Sequence, residues 1–257
     1  MEQYTLFAKV YDKMMDNIPY EEWEQYLLQL LFRHHIKPCS SITELGCGTG
    51  SMSMLLQADG FEVTGIDISH DMLLVAEEKN HSDIYCKDNG LTPISYIYSD
   101  MRDFTLSDKQ DAVVSVCDSV NYLLTEEDLY KTMDSVRKVL KKNGIFIFDL
   151  KTEFFYSHVL GSRTFHEKRR TYSSVWENSY DREKRIHEYK LRFRYKDGHD
   201  WREHAELHKQ HPFTAEEIKR AALRAGFAGG AAYDAFTFDK PKKNSERIYI
   251  VLFNRLK

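Results

Sequence analysis

The sequence predicts an α/β fold: a mostly parallel sheet of seven strands with helices on both faces, interrupted by an antiparallel β insertion. Three observations predict it. Short apolar strands alternate with helical segments from residue 41 to about 151, the rhythm of a parallel sheet with crossover helices. That rhythm then breaks into a period-two pattern over 170–209. Residues 212–257 return to one helix and two strands.

The first predicted element is a helix after Pro19. Trp23, Tyr26, Leu27, Leu30 and Leu31 recur as one apolar stripe, which should run to about Ile36 before Pro38 ends it. Strands are expected at 42–46, 62–67, 94–100, 111–117 and 144–150, with helices near 51–58, 71–79 and 126–141. Thr125 and Asp128 stand in near capping-box spacing at the start of the last helix. Lys141, Lys142, Asn143 and Gly144 place cations and a glycine where its end is expected.

In the insertion, Tyr189, Leu191, Phe193 and Tyr195 alternate with Lys190, Arg192, Arg194 and Lys196, giving one apolar and one cationic face. Asp197-Gly198 is a hairpin turn. Thr214 and Glu217 form a capping box for a final helix that Gly226 closes. Strands near 231–238 and 247–253 would complete the sheet. The domain reading is therefore 1–151 plus 212–257 as the main unit, with 1–38 as a helical cover and 152–211 as the inserted lid.

Composition narrows the function. Hydrophobic residues make up 42% of the 257, enough for a substantial core. The net charge of −4 argues against a chain devoted to wrapping nucleic acid or an anionic membrane. The N-terminus has no secretory pattern and no stretch is long enough to span a bilayer. Cys39, Cys47, Cys86 and Cys117 form no CxxC pair, so a reduced, cytoplasmic protein without a metal site is expected.

The sharpest motif is Glu44-Leu45-Gly46-Cys47-Gly48-Thr49-Gly50, between a strand and a helix. Its first glycine permits a tight turn and its second lets a ligand approach the backbone. A dinucleotide loop needs its third glycine at 51, which is Ser51, and no Walker lysine follows. The loop therefore suits a nucleoside rather than a pyrophosphate. Asp67 ends the next strand, where a carboxylate can accept both ribose hydroxyls at roughly 1.5–3 kcal/mol each. Ser69 is better placed than Asp67 to cap the following helix.

These residues bring a family into view. ELGCGTG at 44–50, GIDIS at 65–69, SDMRDF at 99–104, DAVVSVCDSVNYL at 111–123 and LKKNGIFIFD at 140–149 occur in the order seen in class I S-adenosylmethionine-dependent methyltransferases, and the sequence resembles them over most of its length. Among them it looks like the small-molecule branch that includes glycine N-methyltransferases and amino-sugar N,N-dimethyltransferases, and it resembles most a bacterial group of unestablished substrate with a similar YxxxA-x-VYD start and a β insertion. The resemblance implies a Rossmann-like methyltransferase sheet and S-adenosyl-L-methionine as cofactor. It implies that Gly46 and Gly48 pass against the methionine part, with Glu44 at its amino group. Asp67 would bind the ribose, Ile68 and Met72 would flank the adenine, and Asp100 and Met101 would meet its edge. Cys117 would border the methionine chain; Tyr11 and Trp23 would fold over the cofactor.

An already activated methyl needs an aligned nucleophile more than a dedicated base, so no triad or metal cluster is required. Asp118, Asn121 and Tyr122 follow the fourth strand and are the candidates to orient the acceptor. This loop is not the (D/N)PP(Y/F) type, and Pro38-Cys39 precedes the first strand, away from any catalytic position. Six of eleven histidines fall in 161–213, and His208 and His211 are candidates for a base there. The same span has 13 Lys/Arg against 9 Asp/Glu, so its cationic face reads either as a solvated surface or as a contact for an acidic or RNA substrate. The expected function is transfer of a methyl to an N or O nucleophile of a small molecule, by a monomer or homodimer without nucleic-acid or membrane partners. The alternatives are an RNA- or tRNA-modifying methyltransferase and a non-catalytic cofactor-binding protein.

Overall fold

The computed structural model describes residues 7–16, 18–82, 91–198 and 200–254. Cys86 and His199 lie outside the described residues. The alternating part supplies β1 (Ser41–Leu45), β2 (Glu62–Asp67), β3 (Ser95–Tyr98), β4 (Gln110–Ser115) and β5 (Leu140–Lys151). The insertion supplies β6 (Thr164–Lys168), β7 (Tyr172–Asp181), β8 (Ile186–Asp197) and β9 (Asp200–Gln210), and the C-terminal part β10 (Gly230–Asp234) and β11 (Arg247–Phe253). Helices are α1 (Ala8–Met14), α2 (Tyr20–Arg33), α3 (Ser51–Ala58), α4 (His70–Ser82), α5 (Glu126–Val139) and α6 (Ala215–Ala225).

Among the described residues the main sheet has seven strands in the order β10-β11-β5-β4-β1-β2-β3. β1 to β5 pair in parallel. β11 is antiparallel to β5, and β10 to β11. This is the mostly parallel, seven-stranded sheet that the sequence leads one to expect. Strand order reverses between β1 and β4, so a crevice opens at their carboxyl ends.

Both sheet faces are buried, which is why β5 reads as a continuous apolar run. Phe146, Phe148 and Leu150 face Leu129, Met133 and Val136 of α5 and Ile218 of α6. Ile145 and Ile147 face the other layer, with Leu27, Leu30 and Leu31 of α2 and Leu56 of α3.

Element boundaries move for local reasons. α2 stops at Arg33, short of Ile36, because His35 turns left-handed (φ 65°) and the Ile36 N–H returns to the Leu31 carbonyl at 3.0 Å. That is a Schellman-type end, made without glycine. α5 stops at Val139: Leu140 is already extended and pairs with Gln110 of β4. Lys141 to Gly144 thus belong to β5 and do not cap the helix, and Lys141 binds Asp111 at 2.8 Å. β10 ends at Asp234, before a turn in which Phe236 has φ 61°. The Thr125 cap and the Thr214–Glu217 capping box both form, and Gly226 closes α6 in the left-handed conformation.

β6 to β9 form a second, wholly antiparallel sheet. Leu191, Phe193 and Tyr195 are buried on one face with Tyr189 packed beside them, as the alternation predicts. What covers that face is Phe7, just before α1, with Val10 and Met14 of α1.

Candidate active site

The glycine loop leaves β1 but stays tied to β2: the Gly46 and Cys47 N–H groups both donate to the Ile66 carbonyl, at 2.7 and 3.1 Å. Gly46, Gly48 and Gly50 all have positive φ (69°, 53° and 76°), a conformation L side chains resist. Their uses differ. A Cβ on Gly46 would lie 2.6 Å from Ser119 Oγ, and one on Gly50 would strike the Tyr96 hydroxyl. A Cβ on Gly48 would meet nothing within 4 Å, and Gly48 lines the main cavity. Two glycines permit close packing; the middle one leaves room for a ligand.

Two carboxylates stand behind this loop. Asp67 accepts the Gly48 N–H through Oδ2 and the Ser69 N–H through Oδ1, each at 2.8 Å. Burial raises its pKa, against the lowering pull of those backbone donors. The helix cap is Ser69, whose Oγ accepts the Met72 N–H at 3.3 Å. Glu44 is buried and accepts the Ser53 hydroxyl. Burial pushes it from the usual 4.5 up to about 8, although the Ser53 bond opposes that.

The cavity at the switch point has a volume of about 660 Å³. Tyr11, Glu44, Gly46, Gly48, Asp67, Ile68 and Met72 line it. Asp100, Met101, Cys117 and Tyr122 line the rest of the predicted set's share. Cys117 is left-handed (φ 59°), and burial raises its thiol to about 12, so it is a neutral wall there. The Asp100 carboxylate is held by Arg102, with Nη2–Oδ2 at 2.6 Å, and Arg102 also reaches Asp128 at 3.0 Å. Burial alone would raise Asp100, but Arg102 holds it below its ordinary value.

Three expected site residues lie elsewhere. Trp23 is a core residue of the α2 stripe: its ring meets Phe236 at 5.6 Å, and the Arg247 guanidinium lies 4.4 Å over it. Asn121 is fully buried. Its Nδ2 donates to the Lys151 and His211 carbonyls at 3.1 and 2.9 Å, and its Oδ1 accepts the Lys151 N–H at 2.9 Å. It braces the backbone and has no atom left for a substrate. Asp118 points away from the cavity, to Lys151 at 3.0 Å and Arg247 at 2.9 Å. Burial would raise it, yet these two cations hold it below the usual range.

Other cavity residues escaped the sequence. Tyr20 joins Tyr11 on the cavity wall, where Trp23 does not reach; burial raises its phenol well above the ordinary value. The signal was an aromatic directly after Pro19. Ser119, Tyr98 and Arg102 also line the cavity.

Tyr122 ends a 3-10 turn (Ser119–Tyr122) after β4. Its hydroxyl lies 2.6 Å from the Tyr189 hydroxyl and 3.2 Å from His208 Nδ1. His208 Nε2 lies 3.0 Å from Glu206 Oε2. Both His208 and Glu206 are buried. Of the two histidines singled out as bases, His208 thus reaches a cavity residue, whereas His211 packs its ring on Phe213 at 4.6 Å.

An open α/β sheet with a left-handed glycine loop, an acidic strand end beside it and a cavity at the switch point defines a nucleoside-cofactor enzyme. The comparisons with known proteins give the class its name. A family model described as a methyltransferase domain matches residues 42–144. YqeM of Bacillus subtilis (strain 168), named as a methyltransferase, is 35% identical over 249 residues, covering 96% of this chain and 95% of that protein. A crystal structure of an S-adenosylmethionine-dependent methyltransferase from Clostridium acetobutylicum ATCC 824 superposes with a TM-score of 0.80 at 25% identity, covering 98% of this chain and 99% of that one. A dTDP-3-amino-3,4,6-trideoxy-alpha-D-glucopyranose N,N-dimethyltransferase of Streptomyces venezuelae is 31% identical over 117 residues, 46% of this chain and 45% of that protein. The chain belongs to the S-adenosylmethionine-dependent methyltransferase family. The open space beside Gly48, flanked by the Asp67 and Glu44 carboxylates, fits that cofactor's nucleoside and ammonium groups.

Proposed function

We propose that this enzyme methylates an N or O nucleophile of a small molecule, an amine first among them. The observation that carries the reading is one cavity of about 660 Å³ whose wall includes both the glycine loop and Tyr122. That volume falls in the range of roughly 300–1,000 Å³ usual for small-ligand sites. Gly46, Gly48 and Asp67 would hold the cofactor, with Glu44 at its ammonium. Once bound, the cofactor would supply an electrophilic methyl to the acceptor's lone pair, its sulfur keeping the electron pair of the S–CH₃ bond.

The chain's own contribution is alignment and exclusion of water, worth up to about 7–11 kcal/mol in favourable cases. The cover would be α1 and the inserted sheet of β6 to β9. α1 lies on the insertion's apolar face, and Asp12 ties it to the glycine loop through the Thr49 hydroxyl at 2.6 Å and to α4 through Lys79 at 2.9 Å. Half-buried tyrosines on the cavity wall, Tyr11, Tyr20 and Tyr122, and a named amino-sugar relative favour an amine acceptor. The cationic face of β8 gives little support to an RNA substrate, because its arginines are paired: Arg192 with Glu177 at 3.2 Å and Arg194 with Glu203 at 3.7 Å.

The test is S-adenosylhomocysteine release over a panel of amino sugars, amino acids, simple amines, phenols and unmodified tRNA. Turnover with small amines or hydroxyl compounds is expected. Salt-sensitive turnover with tRNA alone would overturn the reading.

A further inference from the structure

We propose that Tyr122, His208 and Glu206 form a proton relay that strips the acceptor of its proton during methyl transfer. The inference rests on the amine reading above and names the group that makes the amine nucleophilic. An ammonium has no lone pair, so an acceptor that arrives protonated needs a base within hydrogen-bond reach.

Hydrogen-bond bookkeeping sets the direction of the relay. A carboxylate only accepts, so the 3.0 Å contact between Glu206 Oε2 and His208 Nε2 places the ring proton of the neutral imidazole on Nε2. Nδ1 is then an acceptor, and the Tyr122 hydroxyl at 3.2 Å donates to it. The Tyr189 hydroxyl in turn donates to Tyr122 at 2.6 Å. The Tyr189 ring stacks on the imidazole at 4.5 Å with a 5° tilt, which holds its plane. Tyr122 forms part of the cavity wall. Tyr122 is thus the catalytic residue, and His208 and Glu206 act through it.

The tertiary structure builds this contact deliberately from two sheets. β9 is stitched along the turn after β4: Gln210 Nε2 donates to Asp118 at 2.9 Å, and the His211 N–H donates to the Asn121 carbonyl at 2.7 Å. That seam brings His208 to Tyr122.

The proton balance closes. The N–H bond of the ammonium breaks and its electron pair stays on nitrogen. The proton goes to the Tyr122 oxygen while the Tyr122 O–H proton passes to His208 Nδ1. The imidazolium is stabilised by the Glu206 carboxylate. The freed lone pair forms the N–CH₃ bond, and after product leaves the His208 proton returns through the Tyr122 hydroxyl to solvent in the open cavity. Groups that tune His208 come from each packed element. They are Glu206 and His204 on β9, with His204 3.7 Å from Glu206, and Tyr189 and His187 on β8. Tyr122 comes from the turn, and beyond Gln210 lies the Asp118–Lys151 pair.

Two measurements test the relay in the full-length protein. Long-range ¹H–¹⁵N spectra of histidine-labelled enzyme read the tautomer whatever the acceptor. We expect His208 protonated on Nε2, with its Nδ1 resonance moved by Tyr122→Phe. A proton on Nδ1 overturns the proposal. The second is turnover of Tyr122→Phe and His208→Gln, with S-adenosylmethionine binding followed by calorimetry. The probes are ethylamine and 2,2,2-trifluoroethylamine, alongside any amine the panel selects. We expect unchanged cofactor affinity and a rate loss of about 10²–10⁴ for the protonated amine, recovered at high pH and small for the weakly basic amine. Equal losses for both amines at every pH would mean a structural role and overturn it. Absence of turnover with every amine in the wild type would instead sink the amine reading, whereas a proton on His208 Nδ1 or equal losses for both amines would sink the relay and leave the amine reading standing.

Discussion

Asn121 and His211 are joined by two hydrogen bonds: the His211 N–H donates to the Asn121 carbonyl at 2.7 Å, and Asn121 Nδ2 donates to the His211 carbonyl at 2.9 Å. One residue follows β4 and the other follows β9, so the pair fastens the inserted sheet to the main one at the cavity's edge. Position 121 is therefore a joint between two sheets, and its chemistry is committed to backbone.

Asn121→Ala should destabilise the fold. Three buried side-chain hydrogen bonds disappear, at roughly 0.5–1.5 kcal/mol each, giving a loss of about 2–4 kcal/mol. Urea unfolding measures this. Tyr122→Phe, which keeps the ring, should cost much less. If the two variants unfold alike, the bracing role of Asn121 is wrong.

Asp67→Ala should abolish detectable S-adenosylmethionine binding by calorimetry. It removes the ribose acceptor and also releases the Gly48 and Ser69 N–H groups it now holds. Near wild-type affinity would refute the ribose assignment.

Gly48→Ala and Gly50→Ala should separate binding from folding. Both impose positive-φ strain of about 1–2 kcal/mol on alanine. At Gly48 the added methyl enters open space on the cavity wall, so cofactor affinity should fall while melting temperature changes modestly. At Gly50 the methyl strikes Tyr96, so melting temperature should fall sharply. The reverse pattern would reject the division of roles among the glycines.

Glu44 should make both stability and binding depend on pH. Its carboxyl titrates at about 8 in the folded protein against 4.5 ordinarily, because it is buried. A raised folded pKa contributes stability that is fully present below about 4.5 and lost as pH rises through 8. The melting temperature of the cofactor-free enzyme should accordingly fall over that window, and Glu44→Gln should flatten the fall. Near pH 7 the bound cofactor's ammonium would favour the ionised form, so binding should release a proton. Calorimetry in buffers of different ionisation enthalpy reads that proton; a buffer-independent enthalpy would remove Glu44 from the ammonium site.

Glu217 should act in the opposite sense. Burial would raise it, but Arg185 at 2.9 Å and the Thr214 cap bring it down to about 2. Stability from this group is present above the usual 4.5 and lost as pH falls towards 2. Glu217→Gln should shift acid unfolding to higher pH. An unchanged acid midpoint would show that the Arg185 pair contributes nothing to folding.

Much of this architecture was legible in sequence. Periodicities of 3.6 and 2 placed the α2 stripe and the alternating face of β8, because each depends on which neighbours along the chain share a side. Caps at Thr125 and Thr214 were legible because a cap bonds its own chain three residues on. Helix ends were less so. His35 adopts the left-handed turn that glycine would have announced, and Leu140 is taken into β5 by Gln110, a partner thirty residues away.

The site divides the same way. Gly46, Gly48 and Asp67 could be singled out from order and spacing and Tyr122 from the family resemblance, and all four line the cavity. The helix stripe offered Trp23 a core place as well as a cofactor role, and contacts with Phe236 and Arg247 decide for the core; the sequence could not say that Asp118 is neutralised by Lys151 and Arg247. Nor could it place His208 against Tyr122, 86 residues apart along the chain. Local conformation follows from a residue and its near neighbours, so the sequence by itself determined the sheet, the helices and the cofactor loop. Whether a polar side chain faces the cavity or a buried counter-charge depends on strands brought together only when two sheets dock, and that only the tertiary structure decided.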